Sequence, residues 1–305
     1  MNVLVLGGSG FIGSHLVDAL VHRGHRVRVF DRSLPRNPHK NVAYKVGSFL
    51  DAADLAEALD SSELVYHLIS TSVPSTSNLD PIADVNGNLV GSLQLLQQMK
   101  ALGIKKIVFL SSGGTVYGNP SSLPVPEDHP LNPICSYGVV KVAIEKYLFM
   151  FQQLYGFAPI VLRASNPYGP RQGHVGIQGA IQTFLRRILD GEPIKIWGDG
   201  SVRRDYIYIS DLVDLCVRAG EGVHTGIYNA GSGCSHSLNE LLGVMELVTG
   251  TKPQVQYSEA RAFDVAEIAL DIESAKATFG WSPKTAIEAG IRSQWEWLNN
   301  EGLRP

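Results

Sequence analysis

Short apolar runs alternate with segments of helical periodicity through the first half of the chain. Runs rich in β-branched and aliphatic residues predict buried strands over residues 3–6, 26–30, 42–46, 64–68, 106–110 and 160–163. Apolar residues at helical spacing predict helices over residues 14–21, 52–59, 86–99 and 137–155. Strands that alternate with helices in this way predict an α/β fold with a doubly wound parallel sheet.

A glycine-rich turn joins the first strand to the first helix. Gly7, Gly10 and Gly13 stand three residues apart directly after the strand. Glycines in this position let the backbone approach a pyrophosphate, and the N-terminus of the following helix faces its charge. The pattern indicates a bound dinucleotide. Asp31, at the end of the second strand, would accept hydrogen bonds from the adenosine ribose, which favours NAD over NADP.

Other residues near this turn allow alternative assignments of the cofactor and of the adenine contacts. Arg32 and Arg36 follow the second strand, and an arginine there can pair with the 2′-phosphate of NADP. We assign the adenine edge to Ser48 and Phe49, after the third strand. Asp51 fits the N-cap of the next helix instead.

Tyr137 and Lys141 are the clearest candidates for acid–base chemistry. Residues four apart lie on one face of a helix. An ammonium beside a phenol stabilises the phenolate and lowers its pKa from about 10, so the pair can act as a general base for a sugar hydroxyl. Taken alone, the spacing is better explained by a surface helix with a buried tyrosine, and the motifs in the rest of the chain reverse that preference. Residues 111–118 leave the fifth strand at its carboxyl end, where open α/β sheets bind ligands.

Composition narrows the function classes. A formal net charge of -3 argues against a general nucleic-acid binder. The cysteines Cys135, Cys216 and Cys234 are scattered, which predicts neither disulfides nor a metal site. His67 lies within an apolar strand and is interpreted as a core residue. We expect no signal peptide and no membrane span, and therefore a soluble, cytoplasmic protein.

The strict alternation ends after residue 170. Helices are predicted over residues 180–189, 211–219, 237–248 and 287–299, and a polar loop over 197–206. We expect a Rossmann-type NAD-binding domain over residues 1–165, to which segments around 204–230 return. Residues 166–305 would form a smaller, mixed α/β substrate-binding region, with a cleft between the two.

With these motifs, essentially the whole chain resembles the extended short-chain dehydrogenase/reductase family, in its nucleotide-sugar epimerase branch. The resemblance implies that Tyr137 is the catalytic base and Lys141 its partner, which also binds the nicotinamide ribose. The implied NAD contacts are Gly7, Gly10, Phe11, Ile12, Gly13, Asp31, Arg32, Ser48, Phe49, Leu68, Asn88, Ser111, Tyr137 and Lys141.

The resemblance also implies a UDP-sugar site. Arg204 and Arg261 match a pair of arginines that grips the diphosphate and ribose, which suits the two parallel donors of a guanidinium. Trp197 falls where an aromatic ring packs near the uracil, although a core tryptophan fits equally well. The implied substrate contacts are Ser72, Asn166, Gln178, Trp197, Arg204, Arg261 and Asp264.

Two positions depart from the family pattern. Gly113 stands where the family has a catalytic Ser or Thr; Ser112, one residue earlier, has the right spacing from Tyr137 and is our first choice, with Thr115 as the alternative. The second is Ser48, which stands after the third strand where family members usually carry Asp.

The implied reaction is inversion at C4 of a UDP-hexose through a 4-keto intermediate, with either UDP-glucose/UDP-galactose or their N-acetylated counterparts as substrates. The loop at Ser72 and the moderate size of Ile268, at the family's acetamido gatekeeper position, keep the N-acetylated sugars open. A UDP-uronate 4-epimerase and an NADPH-dependent ketosugar reductase also stay open. A 4,6-dehydratase or uronate decarboxylase would carry an acidic residue where Thr115 stands, and a noncatalytic NAD sensor or scaffold would commonly have lost Tyr137 or Lys141.

The resemblance further implies a homodimer and a place in polysaccharide biosynthesis. The helices over residues 86–99 and 137–155 would pair with their counterparts in a four-helix bundle, which their apolar stripes permit.

Overall fold

A seven-stranded parallel sheet forms the centre of the molecule. The computed structural model describes residues 1–36, 38–173, 179–259 and 265–300. Its strands are β1 (Asn2–Leu6), β2 (Arg26–Asp31), β3 (Ala43–Val46), β4 (Leu64–His67), β5 (Lys106–Ser112), β6 (Ala158–Ala164), β7 (Asn166–Tyr168), β8 (Ile194–Trp197), β9 (Arg203–Tyr208), β10 (Gly226–Ala230), β11 (Ser235–Ser237) and β12 (Val255–Ser258). The order in the main sheet is β10-β6-β5-β4-β1-β2-β3, which confirms the predicted Rossmann-type sheet.

Helices cover both faces of this sheet. They are α1 (Phe11–His22), α2 (Ala52–Leu59), α3 (Pro81–Asp84), α4 (Gly91–Ala101), α5 (Ser136–Tyr155), α6 (Ala180–Asp190), α7 (Ile209–Glu221), α8 (Leu238–Thr249), α9 (Glu273–Phe279) and α10 (Ile287–Asn300). Helices α1 and α7 pack on one face, around Leu16 and Leu212. Helices α2, α4 and α5 pack on the other, around Leu55, Leu95 and Ile144.

The strand order reverses direction at β1, which has β2 on one side and β4 on the other. Ligands of open α/β sheets bind outside the carboxyl ends of the strands at such a switch point. The glycine-rich turn after β1 and the loop after β4 both begin there.

The helix predicted over residues 86–99 is longer and less regular than expected. Asp80 caps α3 by accepting a hydrogen bond from the backbone of Ala83, and proline occupies the first turn of α3. A π-helical turn over Val85–Val90, here called the π-turn, then joins α3 to α4. Such wider turns occur frequently at functional sites.

The second region has its own small sheets and core. Strand β9 pairs with β7 in parallel and with β11 in antiparallel register, and β8 pairs with β12. Helices α6, α8 and α10 pack around a third apolar cluster. The prediction of a polar loop over residues 197–206 was wrong at both ends, because Trp197 closes β8 and Arg203 opens β9. The buried side chains of Tyr206 and Ile207 explain why β9 forms.

Two helical glycines give opposite predictions for stability. A Cβ at Gly220 in α7 would lie 1.9 Å from the hydroxyl oxygen of Tyr66, whereas a Cβ at Gly243 in α8 would meet no atom of the described residues within 4 Å. We expect Gly220→Ala to destabilise the protein by about 1–3 kcal/mol through overpacking. Gly243→Ala should stabilise it by about 0.5–1 kcal/mol, because alanine has the lower conformational entropy in the unfolded chain. Urea unfolding of both variants checks this, and a Gly220→Ala protein as stable as the wild type would contradict it.

Candidate active site

The glycine-rich turn has the geometry of a phosphate cradle. Gly7 has φ +83°, which only glycine adopts without strain. A Cβ on Gly13 would lie 2.2 Å from the carbonyl oxygen of Gly7, so the turn can pack on α1 only with glycine there. Gly10 is the N-cap of α1 and provides no side-chain hydrogen bond. The first amides of α1, at Phe11 and Ile12, therefore suit a pyrophosphate, and the turn fits the predicted dinucleotide.

Asp31 lies beside this turn. Its carboxylate accepts hydrogen bonds from the backbone amides of Ser9 at 3.0 Å and Arg32 at 2.7 Å. A carboxylate so close to the turn favours ribose hydroxyls and repels a 2′-phosphate. The side chain of Arg32 is exposed.

The two predicted adenine-edge residues occupy different environments. Ser48 is exposed, and its amide donates to Asp54. Phe49 is buried, with its ring centroid 5.2 Å from that of His67. The Phe49 side chain therefore packs behind the site. Asp51 caps α2, as the alternative interpretation held.

His67 is the core residue that the sequence predicted. Its Nε2 lies 2.8 Å from the hydroxyl oxygen of Ser92, and burial lowers the pKa of His67 to about 3. The imidazole is thus neutral at physiological pH, which suits its apolar surroundings.

Asn88 connects the π-turn to the loop after β4. Its Oδ1 accepts a hydrogen bond from the amide of Thr71 at 2.8 Å, and its Nδ2 donates to Ser72 at 3.3 Å and to Asp84 at 2.7 Å. Leu68 begins this loop, where its amide donates to β1 at 3.0 Å. Asp84 was not among the predicted site residues, because its partners Ser72 and Ser136 come from remote segments of the chain.

Tyr137 and Lys141 lie on one face of α5, as predicted. The ammonium of Lys141 is 5.4 Å from the centroid of the Tyr137 ring and donates to the carbonyl oxygen of Leu110 at 2.9 Å. Burial raises the pKa of Tyr137 to about 12, although a hydrogen bond with Ser70 opposes the rise. Burial also lowers the pKa of Lys141 to about 8. The predicted fall in the pKa of Tyr137 was therefore wrong for the protein alone, because desolvation outweighs the hydrogen bond with Ser70.

Both candidate hydroxyl groups lie where β5 ends. The carbonyl oxygen of Ser112 accepts hydrogen bonds from the amides of Thr115 at 3.2 Å and Val116 at 3.1 Å. The hydroxyl oxygen of Thr115 is buried and has no hydrogen-bond partner within the described ranges. A Cβ on Gly138 would lie 2.8 Å from the Thr115 carbonyl, so the first turn of α5 packs closely against this segment.

A buried polar network lies behind the site. Glu145 of α5 forms an ion pair with Arg163 of β6 at 2.7 Å, and both side chains are almost fully buried. Ser111 donates to Glu145 at 2.5 Å, and Arg163 donates to the hydroxyl oxygen of Tyr117 at 3.0 Å. The hydroxyl of Ser111, a predicted NAD contact, is thus turned towards the interior. The sequence did carry a signal for this network, since Arg163 is a lone charge in an apolar strand.

The predicted substrate residues are only partly described. Asn166 donates to the carbonyl of Asp205 at 2.8 Å, and Arg204 donates to the carbonyl of Val265 at 2.6 Å. Trp197 is 48% exposed, so it is not a core tryptophan. Ser72 belongs to the loop that Asn88 binds. The remaining predicted contacts lie outside the described residues: Gln178, Arg261 and Asp264.

Two features are absent from the described residues. No cluster of three metal-ligating side chains lies close enough to hold an ion in the ranges that the structure describes. None of the helices described is both long and apolar enough to cross a membrane.

Known proteins resemble this chain over nearly its whole length. The model of the NAD dependent epimerase/dehydratase family matches residues 3–231. A putative UDP-glucose 4-epimerase of Methanocaldococcus jannaschii is 36% identical, over 98% of both chains. The UDP-glucose 4-epimerase of Thermus thermophilus, solved in complex with NAD, has a TM-score of 0.93 at 34% identity, covering 99% of this chain and 100% of its own. A UDP-N-acetylglucosamine 4-epimerase from Methanobrevibacter ruminantium M1, solved with UDP-N-acetylmuramic acid, has a TM-score of 0.92 at 31% identity, covering 98% of each.

The burial of Lys141 predicts a pH-dependent stability difference. Its pKa is about 8 in the folded protein against 10.5 ordinarily, so the unfolded chain binds more protons between about pH 8 and 10.5. Wild-type stability should rise with pH across that window relative to Lys141→Met, which lacks the group. We expect the stability of the wild type relative to Lys141→Met to rise by on the order of 3 kcal/mol between pH 7 and about pH 10.5, on top of a pH-independent difference from the lost bond to Leu110.

Urea unfolding at several pH values measures the difference. Lys146→Met is the matched control, because Lys146 is exposed on the same helix. Equal pH dependence for the two variants would contradict the prediction.

Proposed function

This chain belongs to the NAD dependent epimerase/dehydratase family, and we propose that it is a UDP-hexose 4-epimerase that interconverts UDP-glucose and UDP-galactose. The observation that carries the proposal is the meeting of two features at the carboxyl edge of one sheet. The glycine cradle follows β1, and the Tyr137–Lys141 pair is held against the end of β5 by the bond from Lys141 to Leu110.

Tyr137 is the proposed acid–base group. It removes the proton of the C4 hydroxyl and returns it after the 4-keto sugar has turned over in the cleft. NAD, when bound, supplies the hydride acceptor and donor together with a positive ring charge that favours the Tyr137 phenolate. Such a charge is needed, because burial alone raises the pKa of Tyr137 to about 12.

Other residues orient the sugar nucleotide. Arg204 and Asn166 are proposed to hold the diphosphate, and the exposed ring of Trp197 to cover the uracil. Thr115 is proposed to bridge Tyr137 and the sugar oxygen, supported by its buried hydroxyl, which lacks a partner among the described residues. Ser112 is the alternative for that role.

A second candidate substrate pair is UDP-N-acetylglucosamine and UDP-N-acetylgalactosamine. The similarity to the UDP-N-acetylglucosamine 4-epimerase supports it. Ile268, the expected gatekeeper, does not, because its side chain is 1% exposed and packs in the core beneath the sheet. A UDP-uronate would need a further contact to its carboxylate, for which Thr115 is the candidate. The NADPH-dependent reductase is disfavoured by Asp31, whose carboxylate beside the cradle repels a 2′-phosphate.

We also propose a homodimer formed through α4 and α5. Helix α5 exposes Val139 at 53%, Phe149 at 60% and Leu154 at 62%, and Leu102 at the end of α4 is 52% exposed. Several large apolar side chains exposed on neighbouring helices support a self-complementary interface.

The cellular setting is also part of the proposal. A cytoplasmic location agrees with three free cysteines, of which Cys216 is buried. In that compartment the enzyme would supply UDP-sugars for polysaccharide biosynthesis.

The reaction can be tested on four sugars separately. Purified protein is incubated with UDP-glucose, UDP-galactose, UDP-N-acetylglucosamine or UDP-N-acetylgalactosamine, with and without added NAD, and the sugars are followed by proton NMR. We expect the C4 epimer to grow from the first two. Tyr137→Phe should lower kcat by about 10²- to 10⁴-fold, because it removes the general base. Tyr147→Phe, elsewhere on α5, should keep wild-type activity. The proposal fails if the wild type changes none of the four sugars.

The dimer has a separate test. The paired change Phe149→Glu with Leu154→Glu places charges in the proposed interface and should yield monomers of 33.1 kDa instead of twice that mass. Leu247→Glu is the control, since Leu247 is 75% exposed on α8, in the second region. Light scattering after size exclusion gives the masses. A monomeric wild type would contradict the proposed dimer.

A further inference from the structure

Asp84 is a buried carboxylate that has no part in the chemistry proposed above. It ends α3 and is 2% exposed. One carboxylate oxygen accepts hydrogen bonds from the Ser72 hydroxyl and the Asn88 amide, each at 2.7 Å. The other oxygen accepts from the Ser136 hydroxyl at 2.6 Å. Hydrogen bonds to an ionised acceptor at such distances are among the strong ones in proteins.

The three partners of Asp84 belong to three different walls of the site. Ser72 lies in the loop after β4, and Asn88 lies in the π-turn. Ser136 is the first residue of α5 and directly precedes Tyr137. A single side chain therefore joins the loop after β4, the π-turn and the helix that carries the proposed base.

Helix α5 has no side-chain cap from its own N-cap residue, Cys135. Its first amides are bound instead by the segment that leads to α3. Asn78 accepts from the amide of Ser136 at 2.8 Å, and Ser77 accepts from the amide of Tyr137 at 3.1 Å. The start of α5 is thus held by distant residues, and its position depends on where that segment lies.

We infer that Asp84 is a positioning residue, which holds Tyr137 at the reacting hydroxyl by fixing the start of α5 to the loop after β4. This rests on the proposed role of Tyr137. The loop also carries Ser70, whose side chain contacts Tyr137, so the loop and the phenol must keep one relative position. Misplacement of a reacting group by about 1 Å can cost about 10²-fold in rate.

The carboxylate and its bond to α5 can be removed separately. Asp84→Asn removes the charge, and Ser136→Ala removes only the bond to the catalytic helix. We expect kcat to fall on the order of 10- to 100-fold for Asp84→Asn and about 10-fold for Ser136→Ala. KM should stay within about twofold of the wild-type value for Ser136→Ala, since that side chain is not proposed to bind substrate. Asp84→Asn also releases Ser72, a predicted substrate contact, so its KM is compared separately. Ser136→Thr keeps a hydroxyl that can donate to Asp84, so its kcat should be close to the wild-type value.

Asp80→Ala is the matched control. Asp80 is an exposed carboxylate in the same segment, and its side chain accepts a hydrogen bond from the amide of Ala83. Its backbone carbonyl accepts from the amide of Asp84 at 3.2 Å, a bond that Asp80→Ala keeps. Asp80→Ala removes the cap of α3, but its kcat should stay within about twofold of the wild-type value. The double variant Asp84→Asn with Ser136→Ala should have the same kcat as Asp84→Asn alone, because both changes break the same contact between Asp84 and α5.

Hydrogen exchange provides a readout that needs no activity. In both Asp84→Asn and Ser136→Ala, amide protection should fall at residues 136–140. In Asp84→Asn it should also fall at residues 70–78. Asp80→Ala should keep wild-type protection in both segments. Wild-type kcat and unchanged protection in Asp84→Asn and Ser136→Ala would overturn the inference. If the wild type itself proves inactive on every UDP-sugar, the proposed function fails, and protection at the two segments still decides whether Asp84 holds them together.

Discussion

The ion pair between Glu145 and Arg163 is the interaction on which the site depends. It joins α5 to β6 inside the protein, where neither charge meets water. Removing one partner of such a pair leaves an uncompensated charge and costs about 3–5 kcal/mol. Tyr137 and Lys141 precede Glu145 on the same helix, so their position relative to the sheet follows from this contact. Ser111 and Tyr117 complete its hydrogen bonds from β5 and the loop after it.

Two separate anchors therefore hold the catalytic helix. The ion pair fixes its middle to the sheet, while the Asp84 cluster and the Ser77 and Asn78 side chains fix its first turn to the loop after β4. The parallel sheet makes this arrangement possible, because it brings the carboxyl ends of β1, β4 and β5 to one edge. Segments far apart in the chain then meet around one ligand.

Burial sets the chemical state of the proposed base. It raises the pKa of Tyr137 and lowers that of Lys141, so desolvation disfavours the charged form of both groups. A phenol with a pKa of about 12 is a poor base at neutral pH. A further positive charge beside the phenol would lower this pKa, which is how the proposed acid–base function would be linked to cofactor binding. Proton removal would thus be restricted to the complete complex.

The sequence by itself determined the parallel sheet, the glycine cradle, the Tyr137–Lys141 face and the neutral core histidine at His67. Each follows from a local pattern: strand or helix periodicity, turn chemistry, or a histidine within an apolar strand. Tertiary structure alone decided the strand that begins at Arg203, the direction of the Tyr137 pKa and the hydrogen bonds of Asp84 to Ser72, Asn88 and Ser136. The reason is that burial and hydrogen-bond partners come from remote segments. Ser136 lies 52 residues from Asp84, and Tyr117 bonds to Asn229 across 112 residues.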